Sequence, residues 1–282
     1  MPFEIFATPA RSILSKTTGF IAEAGFTHSL TPARNCTFGC SYCYVPTMRI
    51  YGGLKQDDWR HWGQFTTFKS NAPELLEREL REHQVIYCSP LVDPYQPAEE
   101  HEQLMPRILD QLFECPPKVF AIQTRGPLIV RDLAKLAELS RHTTLRVSFS
   151  ITTNRESVRK IFEPHCATID CRLRAIRELR RAAIATFATL APILPCDPEE
   201  LAGMAVDATD QDIIGDPLHI RPVKPRGATT RDAAFAISDR HGFSEWLEAG
   251  FQRDVVGRIA SAVHSTGRRF GTGTEGFGWL AQ

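Results

Sequence analysis

The feature that most constrains the fold is a regular alternation of short apolar strands with helical segments. Strands are predicted at 26–30, 85–89, 118–124, 145–151, 185–193 and around 219–223, and helices at 73–83, 99–114, 131–141 and 170–183. Such an alternation predicts right-handed βαβ units and a parallel sheet. We therefore expect an α/β fold, either a partial (β/α)6 barrel of the TIM type or a doubly wound sheet. In both, the chemistry takes place at the carboxyl ends of the strands.

The length of 282 residues suits one domain. We expect a single domain over 1–282, with its core at about 26–223 and a C-terminal extension over 224–282. The extension spells GxGxxG from Gly271 to Gly276, but only six residues follow this motif. We therefore expect the end of the chain to be irregular from Gly267 onward, and not to bind a dinucleotide.

The composition excludes several classes of protein. Lys and Arg total 33, as do Asp and Glu, so the net charge is zero and a protein that coats nucleic acid through its overall charge is not expected. The longest apolar stretch without a charge, 182–196, is too short to span a bilayer, and the first residues do not resemble a signal peptide. We expect a cytoplasmic protein without a membrane partner. Its eight cysteines are then metal ligands, reactive thiols or buried side chains.

The strongest chemical signal is a CxxxCxxC loop that follows the first predicted strand. Cys36, Cys40 and Cys43 stand close enough in sequence for three thiolates to wrap one face of a metal centre. A 4Fe-4S cluster held by three cysteines leaves one iron open to an external ligand. A structural zinc site completed by a distant histidine or cysteine is the main alternative, and chance clustering is another. Gly39 permits a tight turn between the ligands.

A CxxxCxxC loop with an aromatic residue before the third cysteine resembles the radical S-adenosylmethionine (radical SAM) superfamily. The resemblance implies that the open iron binds SAM and that the reduced cluster cleaves it to a 5′-deoxyadenosyl radical. Cys36, Cys40 and Cys43 would then be the cluster ligands. The aromatic side chains of Phe38, Tyr42 and Tyr44 would shield the cluster from water.

Over roughly residues 28 to 195 the chain is similar to one branch of that superfamily, the spore photoproduct lyase-like proteins. The similarity lies in the order of several short motifs, which are Ser41-Tyr42-Cys43-Tyr44, Asp93 to Pro97, Thr124-Arg125 followed by Arg131-Asp132, Ser150-Ile151-Thr152, Glu163-Pro164 followed by Arg172, and Ala191 to Pro195.

The resemblance implies contacts with SAM at four positions, which are Tyr44, Arg125, Ser150 and the main chain of Ala191. Arg125 stands where the lyases have a lysine that meets the SAM carboxylate, and arginine can hold a carboxylate bidentately. A surface salt bridge is the alternative role for Arg125. For Ser150 the alternative is a strand serine satisfied by the main chain.

Cys88 ends the second predicted strand, close to where the lyases keep a cysteine that returns a hydrogen atom to the product radical. The resemblance makes Cys88 a candidate hydrogen donor, with Tyr42 and Tyr44 extending the relay. The alternative is a small buried side chain, the commonest fate of a free cysteine. Asp93 and Tyr95, on the loop that follows, either line the substrate cavity or belong to a turn stiffened by prolines.

Two further sets of residues have simpler interpretations. No two of the remaining cysteines are spaced closely enough in sequence to form a ligand pair, so we expect buried thiols, with an auxiliary cluster as the alternative. These cysteines are Cys115, Cys166, Cys171 and Cys196. Arginines repeat along the helix predicted at 170–183, as expected for a solvated face, with nucleic-acid contact as the alternative.

The predicted function is that of a radical SAM enzyme in which the deoxyadenosyl radical abstracts a substrate hydrogen. The resemblance implies repair of a pyrimidine photoproduct in DNA, with an electron donor such as a flavodoxin or ferredoxin as partner. One alternative is an enzyme of the same scaffold that acts on a small molecule, peptide or RNA, which the zero net charge favours. Another is a non-catalytic metal-binding module.

Overall fold

A computed structural model describes residues 3–48, 60–221, 224 and 229–282. Within these residues the strands are β1 (Glu4–Thr8), β2 (Leu14–Lys16), β3 (His28–Leu30), β4 (Ala33–Arg34), β5 (Phe65–Lys69), β6 (Val85–Cys88), β7 (Val119–Thr124), β8 (Thr144–Ser150), β9 (Ala185–Ile193), β10 (Ile213–Pro217) and β11 (Phe270–Gly271). The α-helices are α1 (Gly19–Glu23), α2 (Ala72–Glu79), α3 (Glu99–Glu102), α4 (Leu104–Glu114), α5 (Leu133–Leu139), α6 (Glu156–Phe162), α7 (Ile169–Arg181), α8 (Pro198–Ala208), α9 (Asp232–Arg240), α10 (Ala249–His264) and α11 (Gly273–Gly278). Short 3-10 helices span Val45–Thr47, Pro127–Asp132, Ser244–Leu247 and Trp279–Ala281.

The main sheet contains eight of these strands in the order β11-β10-β9-β8-β7-β6-β3-β2. The strands from β3 to β11 are parallel, and β2 is antiparallel to β3. Along the chain from β3 to β11, each parallel strand of this sheet is added next to the preceding one, and always on the same side of it. Because the crossovers are right-handed, strands added always on the same side place their helices on one face of the sheet, as in a barrel. In a doubly wound sheet the side of addition changes, and helices cover both faces. Among the described residues the two end strands do not meet, so the barrel is partial and open.

The two faces of the sheet pack against different elements. On the outer face, alternate strand residues such as Ile86 and Ile122 belong to a large core with the apolar sides of α2, α4, α5, α7 and α8. On the inner face, Tyr87, Ala121 and Phe187 belong to a smaller core that includes Trp279 from the end of the chain. This separation follows from the two-residue period of a strand.

The end of the chain is ordered, which corrects the expectation of an irregular segment. Its GxGxxG residues form β11 and begin α11, and the buried side chains of Phe277 and Trp279 pack against the inner face. A Cβ atom on Gly276 would lie 2.5 Å from the carbonyl oxygen of Gly271. These glycines therefore permit close packing of the chain against itself.

Five of the six predicted strands are confirmed with small shifts in their ends. The sixth prediction was wrong, because the strand lies at Ile213–Pro217; of the segment 219–223, residues 219–221 are irregular and 222–223 lie outside the described residues. The helix predicted over 99–114 is divided in two at Gln103, whose φ of 52° is left-handed.

Of the helices that the structure describes, none is both long and apolar enough to cross a bilayer.

Candidate active site

The cysteine loop begins directly after β4, which pairs with β5 in a small separate sheet of order β1-β5-β4. Asn35 starts the loop with a left-handed φ of 61°, and its Oδ1 accepts hydrogen bonds from the backbone N–H groups of Cys36 (2.7 Å) and Gly63 (3.3 Å). The hydroxyl of Thr66 on β5 donates to the carbonyl oxygen of Asn35 at 3.1 Å. The small sheet thus fixes the conformation from which the first cysteine projects.

The tight turn predicted at Gly39 is present. Gly39 has a φ of 59°, and a Cβ atom on Gly63 would lie 2.6 Å from its Cα. Within the turn, the N–H of Gly39 donates to the carbonyl of Cys36, and the N–H of Cys43 donates to that of Cys40. The two glycines therefore let the segment before β5 pack directly on the cysteine loop.

The three loop cysteines are free thiols, and Cys36 and Cys40 are buried while Cys43 is half-buried. Burial raises the pKa of Cys36, as do Asp93 and Cys40. Burial and then Cys40 raise the pKa of Cys43 to about 12. The pKa of Cys40 is lowered, chiefly by a hydrogen bond with Cys166, with Arg125 also contributing. A metal bound at Cys36 and Cys43 would therefore have to displace a proton from each thiol.

The sulfur atoms of the three loop cysteines do not all lie within 4.8 Å of one another. Among the described residues, the one group of three or more potential ligands whose atoms all lie within 4.8 Å of one another is Cys40, Glu163 and Cys166. A cluster whose three irons are ligated separately requires sulfur atoms further apart than the ligands of one zinc ion. The loop thiols, as they stand, thus lack the close spacing of a preformed zinc site.

A buried carboxylate, Glu163, is the centre of a polar network beside the loop. Its Oε1 accepts hydrogen bonds from the hydroxyls of Tyr42 and Thr152, the latter at 3.0 Å, and from Arg125 Nη1 at 2.7 Å. Its Oε2 accepts from Arg172 Nη2, and the side chains of Glu163 and Arg172 are 0% and 1% exposed. Burial alone would raise the pKa of Glu163, but Arg172 and Arg125 outweigh it and lower this pKa to about 2.

Arg125, predicted to meet SAM, lies at the carboxyl end of β7 with its side chain 14% exposed. Its Nη1 donates to Tyr42 and Glu163, and its guanidinium lies 5.5 Å from the centre of the Tyr42 ring. This is a partly buried ion pair, not a surface one. Among the described residues its Nε and Nη2 have no hydrogen-bond partner, so half of the guanidinium is available to a ligand carboxylate.

The loop Asp93 to Pro97 connects the cysteine loop with β7. Asp93 Oδ1 accepts from the Thr124 hydroxyl at 2.6 Å, and its Oδ2 accepts from the Arg125 N–H at 2.8 Å. Gln96 Oε1 accepts from the N–H of Thr37 at 2.8 Å, between two of the cysteines. Tyr95 is only 1% exposed. These contacts favour the stiffened turn over the substrate lining as the role of Asp93 and Tyr95.

Three serine hydroxyls near the site are buried without a hydrogen-bond partner among the described residues: Ser41, Ser89 and Ser150. Ser150 ends β8 on the inner face, since its neighbour Ser148 is in register with Phe187 of the inner core. The main-chain alternative for Ser150 is therefore not observed. An unsatisfied buried hydroxyl costs about 1–3 kcal/mol, so a polar ligand that bonds to Ser150 gains affinity.

The other two residues predicted to contact SAM also lie at or beyond strand ends. Ala191 lies two residues before the carboxyl end of β9. It is also two residues beyond Thr189, which is in register with Ile214 of the inner core. Tyr44 is 40% exposed, and its hydroxyl donates to the carbonyl oxygen of Pro90. Phe38 and Tyr42 are buried and can shield a cluster, whereas Tyr44 keeps an accessible ring.

Cys88 lies on the other face of the sheet from Ser150. It is fully buried at the end of β6 in the outer core with Ile86, while Val85 and Tyr87 point to the inner face. Burial raises its pKa, with Asp93 and Glu99 adding to the shift. This location favours the buried structural thiol over the hydrogen donor.

The remaining cysteines differ in their surroundings. Cys166 is buried and its Sγ lies 3.9 Å from that of Cys40. Cys196 is buried, whereas Cys115 and Cys171 are half-buried, which corrects the expectation of four buried thiols. The position of Cys166 beside Cys40 was not predicted from the sequence, although Cys166 follows Glu163 by only three residues and so had to lie near it.

The arginines of α7 do not form one solvated face. Arg172 is buried, whereas Arg174 and Arg180 are exposed and pair with Asp170 and Asp210. Arg172 falls on the apolar stripe of α7, three residues after Ile169 and four before Ile176, and this periodicity was the available signal for its burial.

Comparison with curated proteins gives relatives of moderate similarity. The chain is 27% identical over 178 residues to an uncharacterized protein of Mycobacterium tuberculosis, a match that covers 62% of this chain and 52% of the relative. The chain thus spans about half the length of that relative. It is 28% identical over 218 residues to an uncharacterized protein of Acidianus two-tailed virus, covering 68% of this chain and 67% of the viral protein.

Among solved structures, the fold is similar to that of spore photoproduct lyase. A mutant of that enzyme gives a TM-score of 0.55 at 14% identity, covering 87% of this chain and 80% of the other. Spore photoproduct lyase complexed with dinucleoside spore photoproduct gives 0.54 with the same identity and coverage. At this level of identity the likeness concerns the fold.

The sequence profile of the radical SAM superfamily matches residues 30–205, more than half of the chain. This range includes the cysteine loop, the Glu163 network and the carboxyl ends of β6 to β9, where the candidate site lies. The enzymes of this family use a 4Fe-4S cluster and SAM. The protein belongs to the radical SAM superfamily.

Proposed function

We propose that Cys36, Cys40 and Cys43 hold a 4Fe-4S cluster and that the enzyme cleaves SAM reductively to start hydrogen abstraction from a substrate. The observation that carries the proposal is the loop of three free thiols, which belongs to one buried cluster with Phe38 and Tyr42. When bound, the cluster supplies one electron to the sulfonium of SAM, which releases methionine and a 5′-deoxyadenosyl radical. An external donor of the flavodoxin or ferredoxin class returns that electron.

The surrounding residues orient SAM. The free half of the Arg125 guanidinium binds the SAM carboxylate, and the unsatisfied hydroxyl of Ser150 donates to a polar group of SAM. The main chain of Ala191 and the accessible ring of Tyr44 contribute further contacts. Because Arg125 Nη1 stays on Glu163, the guanidinium is held in place before SAM arrives, which reduces the entropy lost on binding.

The experiment is anaerobic reconstitution with iron and sulfide, followed by a test for reductant-dependent 5′-deoxyadenosine. Each of Cys36→Ala, Cys40→Ala and Cys43→Ala is expected to abolish cluster binding and SAM cleavage, while Cys115→Ala is the matched control and retains both. Zinc without iron or sulfide in the purified protein would support the metal-binding module instead. Full SAM cleavage by Cys40→Ala would refute the ligand assignment.

The SAM contacts are tested on the cluster-loaded enzyme. Arg125→Lys keeps the charge but loses the bidentate geometry, and Ser150→Ala removes one hydroxyl. Since a hydrogen bond to a charged group contributes about 1.5–3 kcal/mol, we expect Arg125→Lys to weaken SAM binding about tenfold to a hundredfold. The measurement is the equilibrium Kd for SAM, with iron and sulfide content as the control for cluster loading.

For the substrate, our first candidate is a pyrimidine photoproduct in DNA, supported by the similarity in fold to spore photoproduct lyase. A second candidate is a small molecule, peptide or RNA. It is favoured by the zero net charge of the chain. Of the arginines late in the chain, Arg258 and Arg269 pair with Glu199 and Asp212, whereas Arg231 lies near Cys43 and opposes the rise in the pKa of that thiol. UV-irradiated spore-type DNA incubated with the reduced enzyme and SAM should lose its photoproduct. Unchanged photoproduct with active SAM cleavage would favour the second candidate.

A further inference from the structure

We propose that the thiol of Cys166 donates a hydrogen bond to the sulfur of Cys40 and thereby raises the reduction potential of the cluster. The two Sγ atoms lie 3.9 Å apart, and each residue is 6% exposed. The inference rests on the proposed ligation of the cluster by Cys40. Cys166 is a positioning residue in this scheme, since it acts on the cluster through Cys40.

The direction of the hydrogen bond follows from the chemistry of the two groups. A cysteine bound to iron is a thiolate, which has no proton and can only accept. Cys166 is outside the CxxxCxxC loop and keeps its proton. The S–H of Cys166 therefore donates, and the Cys40 sulfur accepts.

The backbone around Cys166 is held rigidly enough to maintain this contact. The N–H of Cys166 donates to the carbonyl of Glu163 at 3.1 Å. Arg159 Nη1 donates to the carbonyls of Glu163 (3.1 Å) and Cys166 (2.8 Å). Arg159 is itself 6% exposed and anchored by Glu156 at 2.6 Å. On the other side, the N–H of Ser41 donates to the Phe162 carbonyl at 2.9 Å, which holds the loop against the same segment.

A metal ion shared by Cys40, Glu163 and Cys166 does not fit these contacts, although their ligand atoms lie within 4.8 Å of one another. Both oxygens of Glu163 are occupied by donors, including the guanidinium groups of Arg125 and Arg172. The two guanidinium groups already outweigh the single negative charge of the carboxylate, and both would repel a third cation placed beside it. Cys166 is therefore left with Cys40 as its polar partner.

A donor to a ligand sulfur withdraws electron density from the cluster. This stabilises the reduced state more than the oxidised one, because the reduced state carries one more negative charge. Hydrogen bonds to the sulfurs are an established determinant of cluster potential. Removal of the Cys166 thiol should therefore make the cluster harder to reduce.

The test is an EPR-monitored redox titration of the cluster-loaded protein in four forms: wild type, Cys166→Ala, Cys166→Ser and the matched control Cys115→Ala. We expect Cys166→Ala to shift the midpoint potential to a more negative value. Cys166→Ser, whose hydroxyl still donates, should have a midpoint potential close to that of wild type, and Cys115→Ala should match wild type. Iron and sulfide content of each protein is measured alongside.

Equal potentials in wild type and Cys166→Ala would overturn the proposal, as would equal shifts in the Ala and Ser variants. If Cys166→Ala does not hold a cluster, the midpoint potential of Cys166→Ser decides the matter. A large negative shift of that potential would count against a hydrogen bond donated by residue 166. A Cys40→Ala protein with full iron and sulfide would show that Cys166 can ligate iron, and would also overturn it. Failure of wild type to bind a cluster would instead refute the proposed function.

Discussion

Glu163 and Arg172 form an ion pair whose two side chains are removed almost completely from solvent. Removal of Arg172 leaves Oε2 of the buried carboxylate without its donor, although Arg125 still pairs with Oε1, and an unsatisfied buried group of this kind costs about 1–3 kcal/mol. We therefore expect Arg172→Met to lower the free energy of unfolding by that amount, measured by urea denaturation. Arg258→Ala breaks a pair with Glu199 that lies at the surface and is screened by solvent, and it should leave the free energy of unfolding close to that of wild type. Equal losses in the two variants would contradict the prediction.

The same carboxylate predicts how stability depends on pH. Burial opposes ionisation of Glu163, but Arg172 and Arg125 lower its pKa from 4.5 to about 2. A pKa depressed in the folded state gives a stabilisation that is complete above the unfolded pKa and is lost as the pH falls through the folded one. Between pH 4.5 and 2, wild type should lose about 3 kcal/mol through this group. Glu163→Gln should show a shallower slope in urea denaturation over that range, and parallel slopes would refute the assignment.

Gly126 is predicted to tolerate no side chain. A Cβ atom there would lie 2.1 Å from the carbonyl oxygen of Tyr95, so the loop that carries Asp93 and Gln96 has to move. Overpacking of this kind costs about 1–3 kcal/mol, and we expect Gly126→Ala to lower the Tm accordingly. The control is Gly203→Ala in α8, where nothing lies within 4 Å and a helical alanine should stabilise by about 1 kcal/mol. A Gly126→Ala protein as stable as wild type would show that the loop carrying Asp93 and Gln96 can move aside at no cost in stability, and would contradict the prediction.

Cys88 is predicted to act in packing. Cys88→Ala should cost about 1 kcal/mol of stability, since it removes a small buried group. Cys88→Ser should cost about 1–3 kcal/mol, since it buries a hydroxyl. Both should form 5′-deoxyadenosine at the wild-type rate in the reductant-dependent assay. Unchanged stability together with altered products from UV-irradiated DNA would support the hydrogen-donor role instead.

The regular part of the fold was accessible from the sequence because strands and helices have different hydrophobic periods. The sixth strand was misplaced because 213–217 (IIGDP) and 219–223 (HIRPV) are similar short segments with isoleucine and a proline, and only the pairing of 213–217 with β9 distinguishes them. The ordered end of the chain was missed because α11 depends on the packing of Phe277 and Trp279 against the inner face, which no local pattern shows.

For the site, the cysteine loop was evident because its three residues are adjacent in sequence. The Glu163 network was not, since its members come from the segments that follow β7 and β8, from α7 and from the cysteine loop, which only the tertiary structure brings together. The faces of Cys88 and Ser150 depend on strand register, and a shift of one residue exchanges the two faces.

The cysteine loop is held by residues far along the chain, and this has a consequence for biogenesis. Tyr42 bonds to Glu163, 121 residues away, and Cys40 contacts Cys166, 126 residues away. Contacts at such separations form late, because the entropy of closing the intervening chain opposes them. The loop therefore reaches its final shape only after the ribosome has released the segment through α7. Iron that reached the nascent chain before that point would meet a tricysteine loop that lacks its contacts with Glu163 and Cys166, so insertion of the proposed cluster is expected to follow synthesis of α7.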